Sequence, residues 1–486
     1  MKTLLLSSSK QLALALLYGL LGIVVAVVVA GIWLLNNRPE LSPWHTSMLK
    51  QEYHRNLPLT SFEQYLMLED KLFDEMHLKI YQQTQNLIHQ PLNRYVRGSY
   101  SDPAKWPQNW NRSFEWPNPQ AEYALLLLHG MSDSPYSMSH LAKHFAPSAH
   151  VLGLRLPGHG TLPSSLVSLS WRDMASAVAL ATRHLQQALP DKPIYVMAFS
   201  TGAALALNHE LEALVQHRPQ AYQRMIFISP AIGLTPVAAA AKWQNELGLV
   251  LGLEKLNWNA IQTEYDPFKY NSFAVNAGDV VYQLAKRNQQ LLAAIWTEQL
   301  TDLAPILTFQ SVADNTVSTP DVLIKLYRAL GRSDDELVLF DINRDDINMS
   351  LVVNDPMDAL KPLISTVKYD LTLIQNRTLD AQVKRQVEAV HYSSKGDVTH
   401  EELGLFWPNG VYSLSHVALP FPKSDPLYGP SGGIPGFRVN IGSAATRGER
   451  GVLGVPAADI LRQKWNPFYP YMVERMELFI ASPEKD

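Results

Sequence analysis

The chain has 486 residues, 47% of them hydrophobic, with 41 Lys+Arg against 45 Asp+Glu and no cysteine. Without cysteine there is no disulfide framework, no thiolate catalysis and no lipidated-cysteine anchor, on either side of a membrane. A formal charge of −4 with no basic run argues against nucleic acid as a partner.

Residues 1–11 are a short tail carrying Lys2 and Lys10, and residues 12–35 are uncharged and apolar. As a helix that run spans about 36 Å, enough to cross a hydrocarbon core of about 30 Å and longer than the ~7–15-residue core of a cleaved signal peptide. Cleavage after Ala30 is the competing reading. Lys2, Lys10 and the α-amine stand before the run and Arg38 is the nearest cation after it, with Lys50 and Arg55 farther on; this slight asymmetry predicts a single-pass anchor with its N-terminus inside. The rest of the chain is then expected on the non-cytoplasmic side, periplasmic or extracellular. Residues 36–120 read as a Pro-dotted linker, an amphipathic helix from Thr60 to about Gln85, and an aromatic arm from 103 to 119. Trp106, Trp110 and Trp116 on that arm suit surface packing, the rim of a site or a membrane contact.

From residue 121 the pattern changes to apolar runs separated by loops. Residues 124–128 (ALLLL) and 151–154 (VLGL) are continuous enough for strands buried on both faces. The first ends in His129-Gly130-Met131, the second leads into Pro157-Gly158-His159-Gly160. A helical pattern follows from Trp171 to about Leu189, then a strand over 193–197, then Ala198-Phe199-Ser200-Thr201-Gly202 and a small-residue helix. This alternation predicts a mostly parallel sheet flanked by helices. Ala198 and Gly202 allow a sharp strand-to-helix turn that lifts the Ser200 hydroxyl above the sheet. The bland reading of Ser200 is a helix N-cap.

Further strands are expected at 224–230 and 304–310, the second followed by Asp314, whose bland reading is a turn-forming Asx residue. Asp302, Asp341, Asp345 and Asp346 are weaker acids for a site. Residues 233–300, rich in Ala, Leu and aromatics, form a separate segment between those strands. Another strand is expected at 336–341, and no histidine follows it promptly. His391 ends a helical charge pattern (Lys384, Arg385, Glu388), and His400 sits among Asp397, Glu401 and Glu402. His416 lies at a strand end with small neighbours in Tyr412-Ser413-Leu414-Ser415-His416-Val417. His140/His144 and His209-Glu210 lack the partners of a metal-binding helix, so no metal or other cofactor is expected. The glycine-rich tract 429–454 reads as a loop.

Together the strings LLLLHGMSDSP, LRLPGHG, YVMAFSTG, SVADNTV and SLSHV resemble the α/β-hydrolase superfamily, nearest its monoacylglycerol lipase, carboxylesterase and serine aminopeptidase-like branch. The likeness covers about 121–320 well and the rest patchily. It implies an α/β-hydrolase fold with a helical cap at 233–300, and a core split into 121–232 and 301–486. It also implies Ser200 as nucleophile, Asp314 as the acid and His416 as the base, in the chain order of that fold. The oxyanion donors would be the backbone N–H groups of Met131 and Thr201. His129 would be structural, and residues 343–410 an insertion that must loop out without displacing the triad, at small entropic cost. The implied function is a membrane-anchored, lipase/esterase-like serine hydrolase of carboxylic esters, with a small-molecule or lipid ester such as a monoacylglycerol or lysophospholipid as substrate and the membrane contacted through 12–35. Amide or thioester hydrolysis, including aminopeptidase action, is the alternative within enzymes. A non-catalytic scaffold that kept the fold is the alternative outside them. No protein partner can be inferred.

Overall fold

A computed structural model describes residues 2–87, 89–233, 253–296, 298–365, 367–377, 385–431, 448–449 and 462–482. The expected cap's first part (234–252) and most of the glycine-rich tract lie outside these residues. The strands are β1 (Phe114–Trp116), β2 (Tyr123–Leu128), β3 (Ala149–Leu154), β4 (Ile194–Phe199), β5 (Arg224–Ile228), β6 (Trp258–Ala260) and β7 (Phe273–Ala274), followed by β8 (Ile306–Ser311), β9 (Glu336–Phe340), β10 (Asp370–Asn376), β11 (Gln386–Tyr392) and β12 (Val398–Phe406). The main sheet has ten strands in the order β1-β3-β2-β4-β5-β8-β9-β10-β11-β12. From β3 to β10 every pairing is parallel, while β1 at one edge and β11 and β12 at the other are antiparallel. Every residue of β2 is buried, as a parallel strand covered on both faces requires.

Seven helices matter for the site: α1 (Lys2–Asn36), α2 (Phe62–Met76), α3 (Ser139–Phe145), α4 (Trp171–Ala188), α5 (Thr201–Val215), α6 (Val275–Ala294) and α7 (Tyr469–Ala481). Successive strand side chains point to opposite faces. Leu126, Leu128 and Val196 therefore join one apolar layer with Met174 of α4, Leu205 of α5 and Leu284 of α6. Leu125, Leu127 and Met197 join the other with Leu141 of α3 and Met472 of α7. The helix α2 lies against the core through Glu69, paired with buried Arg155 at 2.9 Å, and Tyr65, which donates to the Arg155 carbonyl.

Three segments differ from the sequence expectation. Residues 343–410 do not loop out: they supply β10, β11 and β12 and extend the sheet. His391 lies within strand β11, where alternation of Val387 and Ala389 into the core overrides the helix-like spacing of Lys384, Arg385 and Glu388. Within 233–300, α6 is a core helix, held to α5 by Asn208–Asn288 at 2.9 Å and by an Arg287–Glu212 ion pair at 2.8 Å. The described part before it, 253–274, contains no α-helix; it is a 3₁₀ turn (Glu254–Asn257) and the small antiparallel β6–β7 sheet.

Among the described residues α1 is the one helix long and apolar enough to cross a membrane, and its Leu14–Gly31 stretch is entirely unburied. Two residues past its end, the Arg38 guanidinium donates to the carbonyls of Lys255 (2.7 Å), Trp258 (2.6 Å) and Asn259 (3.0 Å). His45 then donates through Nε2 to Ser272 Oγ at 2.9 Å and meets the Trp258 ring edge-on. The linker is thus fastened to the β6–β7 sheet.

Candidate active site

The end of β4 turns into α5 at Ser200, whose φ is +53° and ψ −112°. A non-glycine residue in that region is strained, and such strain is held only where the surroundings fix the backbone. Here they do: the Ser200 N–H donates to the Ile228 carbonyl at 2.9 Å, and its own carbonyl accepts from Ala231 at 3.1 Å. Gly202 makes the turn possible, since a Cβ there would lie 2.6 Å from the Leu128 carbonyl oxygen and 2.7 Å from that of His129. The Ser200 hydroxyl caps no backbone N–H of α5. Instead its Oγ lies 3.0 Å from His416 Nε2.

His416 Nδ1 in turn lies 2.8 Å from Asp314 Oδ2. All three side chains are buried. The two carboxylate oxygens of Asp314 have different partners. Oδ1 accepts the Thr316 and Val317 N–H groups of a turn after β8, while Oδ2 faces the imidazole and Gln310 Nε2. Burial pushes the Asp314 carboxyl up, but the His416 charge and hydrogen bond with these N–H donors more than offset it, so it stays below its ordinary range. Two of the competing acids are engaged elsewhere: Asp341 pairs with Arg344 at 2.5 Å, and Asp345 caps Asn348.

The loop bearing His416 returns to the place where β9 ends. The Asn343 N–H donates to the Tyr412 carbonyl at 2.6 Å, and its side chain donates to the Val411 carbonyl at 3.0 Å. The whole excursion through β10–β12 therefore leaves and rejoins at one point, which is how it separates Asp314 from His416 in sequence and not in space. A second brace comes from buried Glu449, which accepts the His416 N–H at 2.9 Å and is ion-paired with Arg462. Sequence reasoning missed Asn343, Glu449 and Arg462. Their chain separation from His416 carries no local signal, although Glu449 lies within the glycine-rich tract and Arg462 just after it.

The Met131 and Thr201 backbone N–H groups donate to no partner among the described residues. His129 accepts the Leu156 N–H at Nε2 (3.0 Å), so its Nδ1–H donates to the Gly130 carbonyl (2.9 Å). Burial, with the nearby His159 and Arg155, pushes it well below the ordinary histidine range, and it is a neutral strut. Burial likewise brings His159 down to about 4. His391 sits between Thr372 and Glu401, and His400 beside Glu388, all on the outer strands. His140 and His144 of α3 are taken by Asp425 (2.7 Å) and Glu477 (2.8 Å).

A cavity of about 460 Å³ opens beside these groups. Phe199, Thr316, Val417 and Ser132 line it, each a sequence neighbour or near neighbour of Ser200, Asp314, His416 or Met131. The segment expected as a cap contributes Ala260, Gln262, Tyr265 and Phe273. The aromatic arm backs one wall: Trp110 is buried and packs edge-on to Tyr136, itself stacked on Phe268.

Parallel sheet, helical layers and the strand–serine–helix turn define an α/β hydrolase. The family model for serine aminopeptidase, S33, matches residues 119–344, and the fold is that of the α/β-hydrolase superfamily. A thermostable monoacylglycerol lipase of Bacillus sp. (strain H-257) is 29% identical over 124 residues, which are 25% of this chain and 46% of that protein. The chain thus matches less than half the length of that relative. Among solved structures, one from work on the metagenome-derived lipolytic enzymes LipS and LipT is 21% identical, with a TM-score of 0.37 over 48% of this chain and 88% of its own. A soluble variant of the Saccharomyces cerevisiae monoglyceride lipase is 16% identical, with a TM-score of 0.37 over 47% and 81%.

Proposed function

We propose that this chain is a membrane-anchored serine hydrolase of carboxylic esters, lipid-like in its substrate. The observation that carries the reading is the continuous hydrogen-bonded line Asp314–His416–Ser200 at a strained serine, ending at a cavity. Ser200 Oγ attacks the acyl carbon and passes its proton to His416 Nε2, while Asp314 holds the imidazole by its Nδ1–H. The tetrahedral oxyanion sits on the Met131 and Thr201 N–H groups. Collapse expels the alcohol, which takes the proton from His416, and water activated by the same histidine releases the acid from the acyl-enzyme. The lipase relative supports a lipid-like ester, and the apolar α1 supports the anchor.

The aminopeptidase alternative needs a spare carboxylate for a substrate ammonium. Both acids lining the described cavity, Asp133 and Glu449, already face a cation, Lys269 and Arg462 respectively. That favours the ester. The deciding experiment profiles the purified protein against short esters, monoacylglycerols and aminoacyl amides, beside labelling with a fluorophosphonate. Ester turnover with labelling is expected. Amide turnover exceeding ester turnover would select the aminopeptidase, and absence of labelling would select a scaffold.

A further inference from the structure

The cavity is more highly charged than an acyl pocket needs to be. Five ionisable side chains other than tyrosines line it: Asp133, Lys269, Glu449, Arg462 and Lys464. Two ion pairs account for four of them, Lys269–Asp133 at 2.5 Å and Arg462–Glu449. The fifth, Lys464, has no carboxylate partner among the described residues. Its ammonium stands over two tyrosine faces, Tyr265 at 5.5 Å and Tyr428 at 5.4 Å. Asp266 lies behind Tyr428, but its oxygens are spent on the Tyr428 hydroxyl (2.6 Å) and on the Phe268 and Lys269 N–H groups. Arg462 also lines the cavity, and its Nε is buried without a hydrogen-bond partner among the described residues. A half-buried ammonium and a buried guanidinium N–H, two residues apart on one wall, ask for an anion.

The position of that wall says which part of a substrate the anion belongs to. Arg462 reaches Thr316, in the turn that holds Asp314, and its partner Glu449 holds the His416 N–H. The cations therefore sit on the His416 limb of the site. In the ester reading His416 hands its proton to the leaving alcohol, so the alcohol half lies on that side. We propose that Lys464 and Arg462 bind a phosphate on the alcohol half, so that the substrate class is acyl esters of phosphorylated short polyols. This rests on the esterase reading above and adds the charge of the leaving group to it.

The test compares matched esters, 1-decanoylglycerol and its 3-phosphate, with the 1-butanoyl pair as a fully soluble arm, all below micellar concentrations. Wild-type kcat/KM is expected to favour the phosphorylated ester about tenfold or more, through KM, with the advantage shrinking as salt rises. In Lys464→Met the phosphorylated-to-neutral ratio should fall about tenfold, and in Lys464→Arg it should survive. Preference for the phosphate in both chain lengths assigns the site to the phosphopolyol itself, and preference only with decanoyl assigns it to a phospholipid headgroup. A direct readout independent of turnover is calorimetric binding of glycerol 3-phosphate to Ser200→Ala, with inorganic phosphate as the second probe. Equal rates on the two esters, with intact fluorophosphonate labelling, would overturn the anion site and leave the esterase standing. A wild type that neither labels nor hydrolyses either ester overturns the esterase reading, whereas loss of glycerol 3-phosphate binding in Lys464→Met would still support the anion site.

Discussion

At the scale of single residues, Ser200 combines the proposed nucleophile with a strained backbone, and two variants separate them. Ser200→Ala should lose turnover on the order of 10⁶-fold while remaining folded, measured as kcat on a fluorogenic ester. Ser200→Gly should be as inactive yet more stable than Ser200→Ala by about 1 kcal/mol in urea unfolding, because glycine accepts φ of +53° without penalty. Equal stabilities would mean that the turn is unstrained. Of the histidines, His416→Ala should abolish fluorophosphonate labelling, whereas His391→Ala and His400→Ala should keep most activity, since their rings face Glu401 and Glu388 on the outer strands. The serine was legible because its turn needs small residues at fixed offsets, and Ala198 and Gly202 stand there. Asp314 was ambiguous as sequence for a physical reason: one carboxylate oxygen really does build a turn while the other faces the histidine.

Among the elements, the β10–β12 extension was the least legible. Lys384, Arg385 and Glu388 have a spacing that suits a helix face, and only pairing with β10 shows that Val387 and Ala389 are core positions. The outermost strand, β12, is exposed and carries His400, Glu401 and Glu402, charges that discourage another chain from adding to the edge. Asn343 closes the neck of this extension. Asn343→Ala would remove the donor to the buried Val411 carbonyl and the acceptor of the Asn376 Nδ2–H, costing about 1–3 kcal/mol in urea unfolding. In α5, Glu210 is buried and accepts the N–H groups of Ala221 and Tyr222. Burial, opposed by those donors, raises its carboxyl from 4.5 to about 7. The folded state therefore holds a proton that the unfolded chain releases, so this group's contribution is full below pH 4.5 and is lost as pH rises through about 7. Glu210→Gln should flatten the pH dependence of stability across that window, read by denaturation at pH 4.5 and 8. An unchanged slope would show that Glu210 is ionised in the fold.

For the molecule as a whole, a helix long and apolar enough to cross a membrane was plain from the 24 uncharged residues 12–35, but the fastening of the segment after it was not. Arg38 is an ordinary flanking cation in the sequence, and its three carbonyl partners lie more than two hundred residues away. With the N-terminus inside, alkaline phosphatase fused after Asp486 should be active in cells, whereas a silent fusion beside a fluorescent green-protein fusion would reverse the orientation. The Arg38 clamp has a mechanical consequence for such an anchored enzyme. A flexible stalk would let the catalytic body tumble and sample any height above the bilayer. With α1 in a membrane, a guanidinium held just ahead of the cavity-lining Ala260 and Gln262 would restrict that swivel, so the mouth would keep one height and one heading. Substrate would then arrive by drifting sideways within a plane, in a two-dimensional search.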